Sequence, residues 1–342
     1  GLVISNLGAC ALFAAMSGSS PATCAAIGKM GIPAMRERGF PDTVAAGSIA
    51  AGGTLGILIP PSITMIVYGI STETSIGRLF LAGLLPGLMV TALFMAWSLY
   101  STWRQGHASA ALSSVNYSWK EKFEILPRVL PFLVIIAAVL FALYGGVATP
   151  SETAGVGALF CLITAMIVYR MWKPGQLWNV FRDTTKESVM ILLIIGAAGL
   201  FSYMLSSLFI TQSIAQWISA LEVNRWVLMG FINVFLLISG FFLPPVAVIL
   251  MSAPILLPVI INAGFDPYWF AVILTINMEI GLITPPVGLN LYVINGIAPD
   301  IRLQTILKGA MPYVLCMIVA IVILCFIPQI ATWLPDAVIG GR

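Results

Sequence analysis

Two proline pairs, Pro60-Pro61 and Pro285-Pro286, stand inside apolar stretches long enough to cross a membrane. They constrain the fold more than any other feature. The first stretch covers residues 42–70 and the second 268–298. Proline has no amide hydrogen, so each one frees the carbonyl four residues earlier. In lipid an unpaired backbone group is very costly, and a break is tolerated only where protein or a wet cavity covers it. The chain must therefore bring other parts of itself to two interruptions. One is Gly52-Gly53-Thr54-Leu55-Gly56-Ile57-Leu58-Ile59-Pro60-Pro61-Ser62, the other Gly281-Leu282-Ile283-Thr284-Pro285-Pro286.

The solvent for this fold is a bilayer. Only 8% of residues are charged, against about 25% in a soluble domain. Apolar windows fall at 1–16, 20–34, 42–70, 78–104, 125–148, 151–172, 187–209, 225–241, 245–262, 268–298 and 310–335. This predicts an all-α polytopic membrane protein. The pairs 1–34 and 225–262 have arms short of the roughly 20 residues of a full span. They are broken at Ser17-Gly18-Ser19-Ser20-Pro21 and Gly240-Phe241-Phe242-Leu243-Pro244-Pro245, and read as re-entrant hairpins. With both pairs re-entrant, thirteen Lys and Arg residues fall on one side and three (Arg78, Arg225, Arg342) on the other. Such a bias marks the cytoplasmic face. Because the chain opens inside an apolar segment, further helices are expected ahead of Gly1. The five cysteines have no ligand-like spacing and read as small core residues.

A shift of 225 residues, Pro33 onto Pro258, also brings Gly39-Phe40 onto Gly264-Phe265. It brings Gly56, Pro60 and Pro61 onto Gly281, Pro285 and Pro286. One residue of slippage then aligns Gly83 and Pro86 with Gly309 and Pro312. Glycine and proline punctuate the backbone, so the shared feature is the placement of helix breaks. The charge bias gives the two copies opposite orientations, and inverted repeats with paired broken helices are a transporter signature. Residues 1–104 form the first repeat, 105–222 connecting and scaffold helices, and 223–342 the second repeat. The polar stretch 105–124 reads as a surface-lying brace or a plain connector.

Each hairpin tip is expected to face one break, which gives two pseudo-symmetric cation sites. The first offers hydroxyls on Ser17, Ser19, Ser20 and Thr54 and carbonyls near Gly53 and Gly56. The second offers Thr284 and carbonyls around Gly240, Leu243 and Gly281. Na+ is a hard ion and suits such oxygens, although small residues also serve close helix packing. Half-helices starting at Pro21 and Pro245 turn positive dipole ends and free amides toward the space between, fit for a small organic anion. Ser20, Thr23, Thr284 and Asn290 are candidates to add hydrogen bonds. Glu279 lies deep in the second broken segment as a possible coupling acid or cation ligand, or else a hydrogen-bonded core acid. Glu152 reads as a capping acid, with Ser151 or Thr149 as the cap, and His107 as solvated. No phosphate loop, dinucleotide fingerprint or catalytic triad is present, so neither an ATP-driven pump nor an enzyme is indicated.

At these residues the chain resembles a known family. Ser17-Gly18-Ser19-Ser20-Pro21-Ala22-Thr23, Gly56-Ile57-Leu58-Ile59-Pro60-Pro61-Ser62, Ala148-Thr149-Pro150-Ser151-Glu152 and Gly281-Leu282-Ile283-Thr284-Pro285-Pro286 look like the large membrane subunit of tripartite ATP-independent periplasmic (TRAP) transporters. The resemblance implies an elevator-type transporter of the bacterial inner membrane. It also implies Na+-coupled symport of carboxylates such as C4-dicarboxylates or sialic acids. The partners it implies are a small four-helix membrane subunit and a periplasmic substrate-binding protein. It carries sodium roles onto Ser19, Ser20, Gly56, Gly281 and Thr284. A stand-alone anion transporter without a binding protein is the rival reading.

Overall fold

A computed structural model describes residues 1–104, 119–145, 147–210, 213 and 224–340. His107, Arg342 and residues 105–118 of the polar stretch lie outside the described residues. The chain divides into two compact units, Gly1–Ser114 with Ala198–Arg342, and Val115–Ala197. The described residues contain helices and no strand.

In the smaller unit, α6 (Trp119–Tyr144) packs on α7 (Pro150–Ile167), and α8 (Pro174–Ser207) begins within it. The cap of α7 is Thr149: its hydroxyl accepts from the Glu152 amide at 3.3 Å, and the Glu152 carboxylate accepts from the Thr149 amide at 2.8 Å. This reciprocal pair satisfies two donors that a helix start otherwise leaves open.

The larger unit holds both hairpins and both broken helices. The first hairpin is α1 (Leu2–Ser17) and α2 (Ser20–Glu37), reversed at Gly18 with φ +60°. Only glycine enters that left-handed region without strain. The first broken segment is α3 (Asp42–Thr54), a 3-10 turn over Leu55–Ile57, the proline pair, and α4 (Ile63–Thr72). Helix α5 (Ile76–Arg104) follows. The second hairpin is α9 (Arg225–Phe242) and α10 (Pro245–Asn262), turned through extended Leu243. The second broken segment is α11 (Pro267–Leu282) and α12 (Leu289–Ile297). Both Pro-Pro peptide bonds are cis. The window 310–335, read as one segment, is two helices, α13 (Leu303–Phe326) and α14 (Gln329–Ile339), parted at Pro328. Proline at that point cannot continue the α13 ladder.

Small side chains let these elements pack at backbone contact. Every residue of α3 from Ala45 to Thr54 is buried. A Cβ on Gly309 of α13 would collide with the Thr43 carbonyl, and one on Gly47 with the Gly309 backbone. Helix α11 is buried at every residue from Trp269 to Leu282, Thr275, Asn277 and Glu279 included, as a core helix must be. Elsewhere large apolar side chains face outward, Phe326 being 82% exposed and Trp103 75%. Six helices among the described residues are long and apolar enough to cross a membrane, so the outward apolar surface meets lipid.

Among the polar ties that join the two halves is a charged cluster at their edge. Arg36, in the last turn of α2, donates to Asp42 at 2.7 Å and to Asp300, in the turn after α12, at 2.5 Å. The hydrogen bond from Arg36 holds the Asp300 carboxyl below its ordinary range.

Adding side chains at the α3–α13 crossing is expected to overpack it. Gly309→Val should cost 1–3 kcal/mol or more. Gly196→Ala, where an added Cβ meets nothing, should be neutral or stabilising by a few tenths to about 1 kcal/mol. Thermal midpoints in detergent decide between them. Because the folded-state Asp300 titrates low, its contribution is complete above the unfolded carboxylate value of about 4 and is lost as pH falls through the folded value. Midpoint curves of wild type and Asp300→Asn should therefore run apart from pH 5 to 8 and converge below about pH 4.

Candidate functional site

Each hairpin tip rests on the break of its own repeat, and the contact is backbone on glycine. A Cβ on Gly56 would stand 2.6 Å from the Ser19 carbonyl oxygen and 2.8 Å from the Ser20 amide nitrogen. A Cβ on Gly281 would collide with the Gly240 carbonyl. In both repeats one further bond seals the tip: Ile63 N–H donates to the Gly18 carbonyl at 3.4 Å, and Val287 N–H to the Phe241 carbonyl at 3.2 Å. Gly18 itself faces the Pro61 carbonyl. Pro60 and Pro285 remove the i+4 donors of the carbonyls of these same glycines, Gly56 and Gly281, although the Gly281 carbonyl still accepts from the Thr284 N–H at 3.4 Å.

The first site is dense in hydroxyls, and those of Ser20, Thr23 and Thr54 donate to backbone carbonyls. Ser20 is fully buried and donates to the Thr54 carbonyl at 3.0 Å. Thr23, also fully buried, donates to the Ser19 carbonyl at 2.9 Å and shares a 2.9 Å contact with the Ser17 hydroxyl. Ser17 Oγ lies 3.3 Å from the Ser19 carbonyl. Thr54 donates to Ala51 at 2.7 Å. Below the prolines, Ser62 and Thr64 both donate to the Ile57 carbonyl, at 2.5 and 3.0 Å. That is the group Pro61 orphans. Gly53 packs on Cys24. Pro21 and Pro245 occupy the first turns of their half-helices.

At the second break, Thr284 is half-buried and donates to the Ile280 carbonyl. Asn290 is fully buried, and its amide donates to the Ala50 carbonyl of α3 at 3.3 Å. This reflects a crossed arrangement of the repeats. Helix α12 packs along α2, where Ile294 and Ile297 reach Gly28, and α10 packs along α4. Each returning hairpin arm thus meets the second half of the other repeat's broken helix.

Glu279 is fully buried, and neither of its carboxylate oxygens has a partner among the described residues. At 100° per residue it lies about 160° around α11 from Asn277, on the face turned from the second hairpin. Asn277 and Asn233 form a link that the sequence reading missed. The Asn277 amide donates to Asn233 Oδ1 at 2.7 Å and to the Ile273 carbonyl at 2.9 Å, tying α11 to α9. The available signal was a carboxamide within each of two predominantly apolar windows.

Gly56→Ala and Gly281→Ala each add one methyl against a carbonyl and should lower stability by about 1–3 kcal/mol. Ser20→Ala, which strips a buried hydrogen bond, should cost about 1 kcal/mol. Unchanged thermal midpoints in the glycine variants would mean that the tips do not rest on the breaks.

Comparison with known proteins agrees with this architecture. The chain is 39% identical over 336 residues to the C4-dicarboxylate TRAP transporter large permease protein DctM of Pseudomonas aeruginosa, covering 98% of this chain and 78% of that protein. It is 34% identical over 335 residues to the isethionate TRAP transporter permease protein DctMQ of Oleidesulfovibrio alaskensis, covering 96% of this chain and 51% of that one. In fold it resembles the crystal structure of the Alcanivorax borkumensis YdaH transporter, with a TM-score of 0.68 and 16% identity over all of this chain and 82% of that chain. The model of the DctM component of tripartite ATP-independent periplasmic transporters matches residues 1–330, and the chain belongs to that family as a large permease subunit.

Proposed function

We propose that this subunit carries small organic anions across the bacterial inner membrane by Na+-coupled symport. In this reading the two tip-and-break pairs are the cation sites, and the body that contains them moves in an elevator cycle. A periplasmic binding protein delivers the substrate, and a small four-helix subunit completes the membrane complex. The fused name DctMQ of the isethionate relative accords with such a second membrane component.

The observation that carries the reading is the state of the hydroxyls at the first tip. Ser20, Thr23 and Thr54 donate to backbone carbonyls, so what they turn to a ligand is oxygen lone pairs. Lone pairs suit a cation, whereas an anion needs donors. Ser17, Ser19, Ser20, Gly53 and Gly56 form the first site. Gly240, Gly281 and Thr284 form the second. The substrate anion is assigned to the space between, met by the half-helix starts at Pro21 and Pro245. Glu279, buried and without a partner among the described residues, is the acid assigned to coupling.

The test is uptake into proteoliposomes holding the permease complex. An inward Na+ gradient with the cognate binding protein should drive accumulation of a C4-dicarboxylate such as succinate, or of sialic acid, without ATP. Omitting the binding protein should abolish uptake, and Gly56→Ala and Gly281→Ala should lower it at least tenfold. Equal uptake with K+ in place of Na+ would sink the sodium assignment. Full uptake without the binding protein would favour a stand-alone transporter.

A further inference from the structure

We propose that a polar pocket between the end of α5 and the first half of α13 binds the phosphate group of an anionic phospholipid. The pocket holds about 260 Å3 and lies away from both hairpin tips. Thr43 of α3 forms one wall, Trp97, Ser98 and Thr102 of α5 another, and Lys308 and Tyr313 of α13 a third.

Its charge is one-sided. The lining has one cation, Lys308, and no acid. Lys308 is exposed and has no ion pair or hydrogen bond among the described residues. Asp42, the neighbour of Thr43, is held by Arg36. An ammonium with free donors beside an acid-free wall fits an oxyanion.

The floor can supply a further donor. Ser98 and Tyr313 are each 4% exposed, and their hydroxyls lie 2.7 Å apart. Ser98 has one proton. When it goes to the Phe94 carbonyl, 2.8 Å away, Tyr313 must donate to Ser98. When it goes to Tyr313 instead, the Tyr313 proton is free to point into the pocket. An oxyanion selects the second arrangement. The Thr43 hydroxyl, with no partner among the described residues, adds another donor.

The setting favours lipid over a dissolved anion. Next to the pocket, α5 ends in Tyr100, Trp103 and Arg104, all exposed, and Trp97 stands 5.7 Å from the Tyr100 ring. Aromatic rings beside basic residues mark the headgroup level of a bilayer. The charge bias assigns this end to the cytoplasmic leaflet, whose anionic lipids are drawn to basic pockets between helices. A phosphate seated here touches α3, α5 and α13 together and braces the crossing where Gly309 meets Thr43.

The test uses the purified full chain in nanodiscs and native mass spectrometry. Phosphatidylglycerol should remain as a bound adduct and raise the unfolding temperature, with phosphatidylcholine several-fold weaker. Lys308→Gln should weaken phosphatidylglycerol binding at least fivefold, and Lys308→Arg should keep it. Inorganic phosphate alone should neither stabilise the protein nor displace the adduct. Wild-type phosphatidylglycerol affinity in Lys308→Gln, or equal binding of the two lipids, overturns the proposal. Equal stabilisation by inorganic phosphate overturns the lipid assignment. Both substitutions are at an exposed position, so folding is preserved and each result is readable.

Discussion

Everything in this fold follows from carbonyls that proline leaves unpaired inside a membrane. A helix interrupted by Pro60-Pro61 or Pro285-Pro286 has polar groups that lipid cannot satisfy. At the first break Ser62 and Thr64 bend back onto the Ile57 carbonyl. What remains is covered by a hairpin tip, seated directly on the backbone. That seat exists only because Gly56 and Gly281 have no side chain. The same glycines own the carbonyls that lose their i+4 donor to the first proline of each pair, although that of Gly281 keeps the Thr284 N–H. Seat and freed group therefore coincide, and any chemistry at the break happens against the hairpin tip.

Closing two breaks in this way obliges the repeats to interlock. The returning arm of each hairpin lies along the far half of the other repeat's broken helix. Asn290 shows the consequence: it belongs to the second broken segment, yet its amide is bonded to the first. The stripe of Ala and Gly in α3 lets α13 approach to backbone contact, which in a membrane replaces hydrophobic association as the source of tight packing. Arg36 bridges Asp42 and Asp300 where the two halves meet, and Arg78 lies 3.9 Å from Asp336 near the last helix. Glu279 alone among the described acids is fully buried.

The breaks were legible because glycine and proline act through the backbone, whose rules hold whatever surrounds them. The hairpins, both broken segments and the pairing of tip with break could all be read that way. Asn290 could not. A sequence gives its depth in an apolar segment but not its azimuth, and the crossed packing sets its amide on the Ala50 carbonyl of α3. The Asn233–Asn277 link was hidden for the same reason, since 44 residues separate its partners. The stop at Pro328 was missed because the apolar run continues through it, and hydropathy is blind to a missing amide. Ser20 and Thr23 lie at the first tip, where the direction of their protons is a property of the folded backbone alone.

That direction changes how the first tip should be understood. A serine or threonine hydroxyl has one donor and two acceptor lone pairs. Free in a loop, it could serve an anion or a cation equally. Here the tip carbonyls claim the donors: Ser19 takes the Thr23 proton and Thr54 takes that of Ser20. The helical backbone fixes those acceptors, so these two hydroxyls cannot turn to an anion without stranding a buried carbonyl. An anion near this tip is then left to backbone amides at the half-helix start, to the Ser17 and Ser19 hydroxyls, or to a cation held at the tip. The last route makes substrate binding depend on the cation through geometry alone, since the lone pairs that hold one ligand create the charge that attracts the other. Coupling between ion and substrate then requires no basic residue at the tip, and the tip sequences from Ser17 to Thr23 and from Gly240 to Pro245 contain none.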